Sequence, residues 1–365
     1  MSKSNNLYSI ARQFNPDCLK LARELRGLRK NELARLLEVT PSAITQFENG
    51  HSRPNPQTVA RLSMALGVPG KFFTSANRVK MISSDHCHFR SLKSFSQIGR
   101  RKMASVGSIL ATVVDVIDNH VNLPAEQITG ATSYGASTME EIEEAATKLR
   151  RHWGLGLGPI HNVVDLLESK GVFVLRLLDD CRELDAFSLW HLGRPFVFLN
   201  TQKESASRSR FDAIHELGHL IIHADYLPGD RTQEEEANRF ASAFLLPRGS
   251  FFHECPKRLV WAHFLELKER WRVSLAALVR RAKDLKMISD DTYRRAYYQL
   301  NVRGWRLNEP NEPNVELPQL IPESLKLLAT KGILLDAVAQ EVNLYDADLL
   351  SLLSDGDQKS LRFHK

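Results

Sequence analysis

The chain of 365 residues is poor in several things. It has 4 cysteines, Cys18, Cys87, Cys181 and Cys255, and no two of them form a CxxC pair. That excludes a disulfide scaffold and a cysteine-type zinc finger, and it suits a reducing cytoplasm, the expected location. No uninterrupted apolar run is long enough to span a bilayer, so no membrane partner is expected. The opening MSKSNNLYSIARQF lacks the apolar core and small-residue cleavage site of a secretory signal. Hydrophobic residues make up 43% and charged residues 25%, a balance that excludes wholesale disorder and fits two or three globular domains.

Acidic residues are scarce at one end only. Residues 1–103 hold 18 Lys and Arg against 6 Asp and Glu, a net of +12, whereas residues 104–365 hold 31 against 37, a net of −6. A basic first quarter on a mildly acidic body suggests a nucleic-acid-binding domain joined to something that does not bind nucleic acid.

Residues 17–73 read as all-helical. Leu19, Ala22 and Leu25 open an amphipathic helix that ends near Gly27, and residues 31–37 follow with Leu33, Ala34 and Leu37 inward. After the turn Glu38-Val39-Thr40, either Thr40 or Ser42 can cap the next helix, Pro41 suits its first turn, and Ile44 and Phe47 supply its buried stripe. A further helix over 57–66 stops at Gly67. Two short helices joined by a tight turn place the second in the major groove. On that geometry Ser42, Ala43, Thr45 and Gln46 face base edges, with Thr40 at the start of the same helix. Gln46 suits a bidentate contact with adenine. Lys30, Asn31, Arg35, Asn49 and Arg53 lie near phosphates and set register. The run ELARLLEVTPSAITQFENG, followed by Pro54, is similar to the Xre/Cro/phage-repressor helix-turn-helix family. That resemblance implies double-stranded operator DNA as partner and a homodimer on a palindromic site.

The stretch from 76 to 137 is expected to connect, with an apolar helix over 109–121. His86-Cys87-His88 lacks a second ligand pair at finger spacing and reads as a structural or surface feature. The glycines at 154, 156 and 158 follow a helix rather than a strand and lack a GK[ST] ending, so they read as a turn, not a phosphate loop. Strands are expected over 172–178, 186–192 and 195–200, the last two joined by a hairpin turn at Gly193-Arg194.

The chemical signature is His215-Glu216-Leu217-Gly218-His219. Phe211, Ile214, Gly218, Ile221 and Ile222 recur at helical spacing, and Ser209 with Asp212 resembles a capping box at the helix start. His215 and His219 are four apart, hence on one helical face and able to bind one zinc ion, Zn2+. The Glu216 carboxylate can take a proton from the attacking water and deliver it to the leaving amine, the general-base role in zinc peptidases. A third ligand is needed. The next helix is expected to begin near Thr232, with Glu235 completing a second capping box, and to bury Ala237, Phe240, Ala241, Phe244 and Leu245. At about 100° per residue Glu234 lies roughly 50° from the centre of that stripe, Glu236 roughly 110°, and Glu235 nearly opposite. Glu234 is therefore the expected third ligand and Glu236 the next candidate. His223 stands one turn beyond His219, too far along a straight helix for the same ion, and is expected beside the site or near its entrance.

The segments IHNVVDLLESKGVFV (160–174), RPFVFLN (194–200), FDAIHELGHLIIH (211–223), EEEANRFASAFLLP (234–247) and FLELKERWRVSLAALVRRAKDL (264–285) together resemble the ImmA/IrrE family of zinc metallopeptidases. The resemblance implies an α+β zincin-like fold, a third ligand from the Glu of an ExxA motif (Glu234 here), and strand 195–200 as the sheet edge that takes a substrate segment. It also implies cleavage of helix-turn-helix repressors in stress, phage or mobile-element responses.

The expected organisation is a helix-turn-helix domain over 1–75, a helical connector over 76–137, a metallopeptidase domain over 138–308, and a Pro/Asn/Glu-rich linker with a helical region over 309–365. The expected function is a DNA-binding regulator that hydrolyses a peptide bond in a regulator, a partner or itself. The rival expectation is a repressor or antitoxin-like protein whose zincin domain senses a ligand or binds a partner with little or no hydrolysis.

Overall fold

The computed structural model describes residues 2–74, 81–89, 96–130, 138–177, 185–200, 205–224, 226 and 230–353, with side chains left out of account at 1–6, 86, 88 and 89. In chain order the helices are α1 (Ser2–Arg12), α2 (Pro16–Leu25), α3 (Lys30–Leu37), α4 (Pro41–Glu48), α5 (Pro56–Leu66) and α6 (Gln97–Asp118), with the two-residue strand β1 (His88–Phe89) before α6. There follow α7 (Met139–His152), α8 (Val163–Ser169), β2 (Phe173–Leu177), β3 (Ala186–His191), β4 (Arg194–Asn200), α9 (Ala206–Ile222) and α10 (Arg231–Leu245). The chain then runs through α11 (Arg248–Glu254), α12 (Trp261–Trp271), α13 (Leu275–Asp284) and α14 (Asp290–Val302) to α15 (Leu320–Thr330), α16 (Leu335–Glu341) and α17 (Asp346–Leu353).

The chain divides into two compact units, one of residues 1–87, 93–123 and 320–365, the other of 88–92 and 124–319. The first unit is helical. Leu19, Leu33, Leu37, Ile44, Val59, Leu62 and Leu66 are buried, the stripes expected from the sequence except at one position. Phe47 is half-buried, and the next residue, Glu48, is buried instead. Arg23 explains the exchange: its Nε and Nη2 donate to the two Glu48 carboxylate oxygens at 2.5 and 3.2 Å. The unit also contains elements outside the motif. In α1, Ile10 is buried against the fold, and beyond it Phe14 stacks on Phe73. Helix α6 is buried nearly throughout from Met103 to Ile117 and packs on α2, α15 and α16. The C-terminal helices thus belong to this unit, and Arg26 reaches Asp348 at 3.3 Å.

The second unit is α+β. Its sheet has the order β1-β3-β4-β2, with β2 parallel to β4 and the other pairs antiparallel. The β3–β4 hairpin turns at Leu192-Gly193, one residue before the expected place. Both residues have positive φ, 51° and 76°, the backbone of a tight two-residue turn that matches strand twist. Strand β4, the expected substrate edge, lies inside the sheet between β3 and β2, which corrects that expectation. With β2 and β3 on its two edges and α9 packed on it, β4 is buried from Pro195 to Asn200.

Two expected helix starts also move. Ser209 lies inside α9, whose N-cap is Ser205, and Thr232 lies inside α10, whose N-cap Asp230 accepts from the Thr232 amide at 3.0 Å. At α9 a distant carboxylate does the capping. Glu312 accepts from the Ser207 amide and hydroxyl, both at 2.9 Å. Glu312 belongs to the stretch expected to be a linker, which the structure instead packs into the second unit. Glu309 accepts from the Leu275 amide at the start of α13 at 2.8 Å. Glu316 accepts from the Val163 and Val164 amides at the start of α8 at 2.9 and 3.3 Å and pairs with buried Arg210. Lys268, fully buried, donates to Glu309 and Glu312, each at 2.7 Å. One strap thus puts negative charge at three helix starts, where the orphan amides favour it.

Candidate metal centre and nucleic-acid interface

The metal candidates come together where α9 meets α10. Gly218 faces α10: a Cβ there would meet Phe240 Cδ1 at 3.1 Å and the Ala237 Cα at 3.4 Å. The absent side chain lets the two backbones close up, so the first turn of α10 reaches the imidazoles of His215 and His219. Glu234 Oε2 lies 3.4 Å from His215 Nε2, and its Oε1 lies 3.4 Å from His219 Nε2. The two Nε2 atoms are 3.1 Å apart. Ligands about 2.0–2.1 Å from a tetrahedral zinc stand about 3.3 Å from one another, so the trio fits that ion. Among the described residues this is the group of His, Cys, Asp or Glu that can hold a metal ion.

The charge states agree. Burial pushes the His219 imidazole down to about 3, helped by its imidazole neighbours and opposed by Glu234. Burial would raise Glu234, but the His215 and His219 imidazoles beside its oxygens outweigh it and bring the carboxyl down to about 2. Near neutral pH, His219 is therefore uncharged and Glu234 ionised, the forms that bind a divalent cation.

Partners behind the imidazoles fix their orientation. His215 Nδ1 lies 3.1 Å from Asn238 Oδ1, an acceptor, so Nδ1 carries the proton and Nε2 presents its lone pair to the trio. His219 Nδ1 lies 3.0 Å from His223 Nδ1, and His223 Nε2 lies 2.8 Å from Glu236 Oε2. One neutral set satisfies the row: His219 Nδ1–H donates to His223, and His223 Nε2–H donates to Glu236. The structure thus brings Glu234 to the two imidazoles and turns Glu236 to His223. His223 stands beside the group, held to one of its members.

Glu216 is fully buried, and Oε2 accepts from the Ser188 hydroxyl of β3 at 2.7 Å. The same strand is tied to α9 again by Trp190 Nε1, which donates to the Leu220 carbonyl at 3.0 Å. Strand β3 therefore runs beside the site. Asn238, which holds His215, also lines a cavity of about 520 Å³ with Phe211, Asp212, Arg239 and Tyr297. Sequence reasoning missed Ser188, Asn238 and Glu312. Asn238 stands one turn from Glu234 on α10, so helical spacing carried a signal for it. The other two come from distant segments. In the His86-Cys87-His88 run, Cys87 is a buried thiol that burial, with Asp85, pushes up to about 12; the side chains of 86 and 88 lie outside the described residues.

In the first unit α4 is capped by Thr40, whose Oγ1 accepts from the Ala43 amide at 3.2 Å, and Pro41 takes the first turn. Ser42 and Gln46 are exposed, Ala43 and Thr45 half-buried. The Thr45 hydroxyl donates to the Pro41 carbonyl at 3.1 Å. Asn31, Arg35 and Asn49 are exposed, as a phosphate-facing rim requires. Two expected rim residues have protein partners: Lys30 Nζ lies 3.3 Å from Glu48, and Arg53 Nη1 donates to the Arg12 carbonyl at 2.9 Å.

Comparison with known families places both units. Residues 19–73 match the helix-turn-helix family. Residues 167–283 match the IrrE N-terminal-like domain of a peptidase family. The second unit carries an IrrE-like peptidase domain. No curated protein matches the chain. The IrrE-like match begins within α8 and ends within α13, so the strap carboxylates at 309, 312 and 316 lie beyond it. No helix among the described residues is long and apolar enough to cross a membrane.

Proposed function

We propose that this protein is a transcriptional regulator that binds operator DNA through α3 and α4 and cleaves a peptide bond in a regulatory protein through its IrrE-like unit, as a zinc metallopeptidase. The observation that carries the enzyme half is the trio His215, His219 and Glu234, with separations that suit one tetrahedral ion. A zinc ion held there would polarise the scissile carbonyl and acidify a water. The chain's own residues do the rest. Asn238 and His223 fix the imidazoles in the tautomer that ligates. Ser188 fixes the Glu216 carboxylate through Oε2, and Glu216 takes the proton of the attacking water and hands it to the leaving amine. Burial of Glu216 keeps bulk water from competing for that proton.

The DNA half rests on the helix-turn-helix match and on the exposed Ser42, Gln46, Arg35, Asn31 and Asn49. A homodimer on a palindromic operator follows the habit of that family. The deciding experiment is elemental analysis of the purified full chain together with cleavage of candidate helix-turn-helix repressors, and of the chain itself, by the native protein and by Glu216→Gln. The expected result is about one zinc per chain in both proteins and cleavage by the native protein alone. A native protein that binds no zinc would overturn the enzyme assignment.

A further inference from the structure

A peptidase that binds its substrate as an extended strand needs an open sheet edge beside its catalytic residues. In this sheet that edge belongs to β3, because β4 is enclosed and β3 supplies Ser188 to Glu216. The edge is already taken. β1 lies antiparallel on β3 with His88 opposite Ser188 and Phe89 opposite Phe187. Neighbouring strands lie about 4.8 Å apart, so the backbone at His88 runs directly beside the residue that holds Glu216. β1 comes from far away in sequence: about a hundred residues separate His88 from Ser188, and the residues on both sides of it, 1–87 and 93–123, belong to the helical first unit. It is also minimal, pairing with β3 at two positions among the described residues, whereas β4 pairs with β3 at six. A pairing so short is cheap to displace, since a strand gains its hold from repeated backbone bonds and cross-strand contacts.

We infer that His88–Phe89 is a tethered occupant of the peptide-binding edge, so that an extended substrate peptide must displace this piece of the chain before it can lie along β3. The ligand class is an extended polypeptide bound by backbone pairing, and the chain's own segment is its competitor. Tethering gives β1 an effective concentration of the millimolar order, enough to hold off free peptide without a strong contact. The inference rests on the peptidase reading for its meaning, but its test does not depend on hydrolysis.

The experiment uses the full chain carrying Glu216→Gln and a fluorescein-labelled peptide with the sequence of residues 84–93, in reducing buffer, with binding read by anisotropy. His88→Pro together with Phe89→Pro removes the backbone N–H groups of β1 and should release the edge. The expected result is binding at least about tenfold tighter to the released chain than to the Glu216→Gln chain alone. Equal affinities, or no binding to either protein, would overturn the inference. A second measurement needs no change in β1. Saturating peptide added to the Glu216→Gln chain should speed hydrogen exchange across residues 88–89 while residues 187–188 stay protected. Peptide that binds while 88–89 keeps its protection would overturn it too. Failure of the native protein to cleave any substrate would remove the peptidase reading and leave these binding results standing.

Discussion

Glu236 accepts a hydrogen bond from His223 at 2.8 Å, and His223 in turn takes one from His219 at 3.0 Å, so a carboxylate that never reaches the metal group still decides how one of its members points. Such outer partners commonly govern metal affinity by about 10–100-fold. Glu236→Gln should therefore weaken zinc binding by about that factor, whereas Glu234→Gln should lose it altogether. Competition against a fluorescent chelator measures both. Equal losses would show that Glu236 binds the metal itself; an unchanged affinity would show that the row has no hold on His219.

Gly218 is expected to be intolerant of a large side chain. Its Cβ would press on Phe240 and on the α10 backbone, and a larger residue would push α10 away from α9. Gly218→Val should cost about 1–3 kcal/mol of stability. It should cost proportionally more in zinc affinity, because Glu234 rides on the displaced turn. Denaturant unfolding and zinc titration of the same variant test this; a loss of stability with zinc affinity intact would place the close approach elsewhere.

The strap gives a dependence on pH. Burial would raise the Glu312 carboxyl, but the hydrogen bond from Lys268 and that from the Ser207 amide outweigh it, so its folded-state pKa is lowered. A carboxyl lowered on folding contributes stability above its unfolded pKa and loses it as pH falls through the folded one. Glu312→Gln should thus destabilise the protein at pH 7, on the order of 1–2 kcal/mol, and the gap from the native protein should close below about pH 4. Thermal melts of both proteins from pH 7 to pH 3 read the gap; a gap that persists at pH 3 would contradict the argument.

On the DNA side two classes of residue should behave differently. Gln46→Ala should cost about 1–3 kcal/mol on the preferred operator and relax its sequence preference. Arg35→Ala should weaken binding to all sequences alike and lower the salt slope by about one. Glu48→Ala should act through folding instead. It removes one of the two buried carboxylates that Arg23 pairs with, leaving Glu24 at 3.3 Å, which costs about 1.5–3 kcal/mol. Operator titrations over a range of salt, with thermal melts of each variant, separate the three.

Local periodicity made much of this molecule legible. The helix stripes, the three long strands and the HExxH face followed from spacing, and the angle of Glu234 from its own buried stripe pointed to the residue that meets the imidazoles. What spacing could not show is whatever arrives from afar. Glu312 caps α9 from 105 positions away, so Ser209 looked like the local cap. Strand order depends on which segment inserts beside which, so β4 read as an edge when β2 covers it. Phe47 read as the buried residue because the partner that draws Glu48 inward, Arg23, sits 25 positions earlier. The strap read as linker because Pro, Asn and Glu say nothing of the buried Lys268 that awaits them.

That lysine bears on how the protein can be cut into working pieces. A fragment ending at 308 would strip the Lys268 ammonium of Glu309 and Glu312 together, stranding a cation in the interior beside three helix ends without their anions. Recombinant versions of the peptidase half should therefore carry their C-terminus at 319 or later, and an insoluble shorter version would reveal the missing counter-charges rather than a dead enzyme.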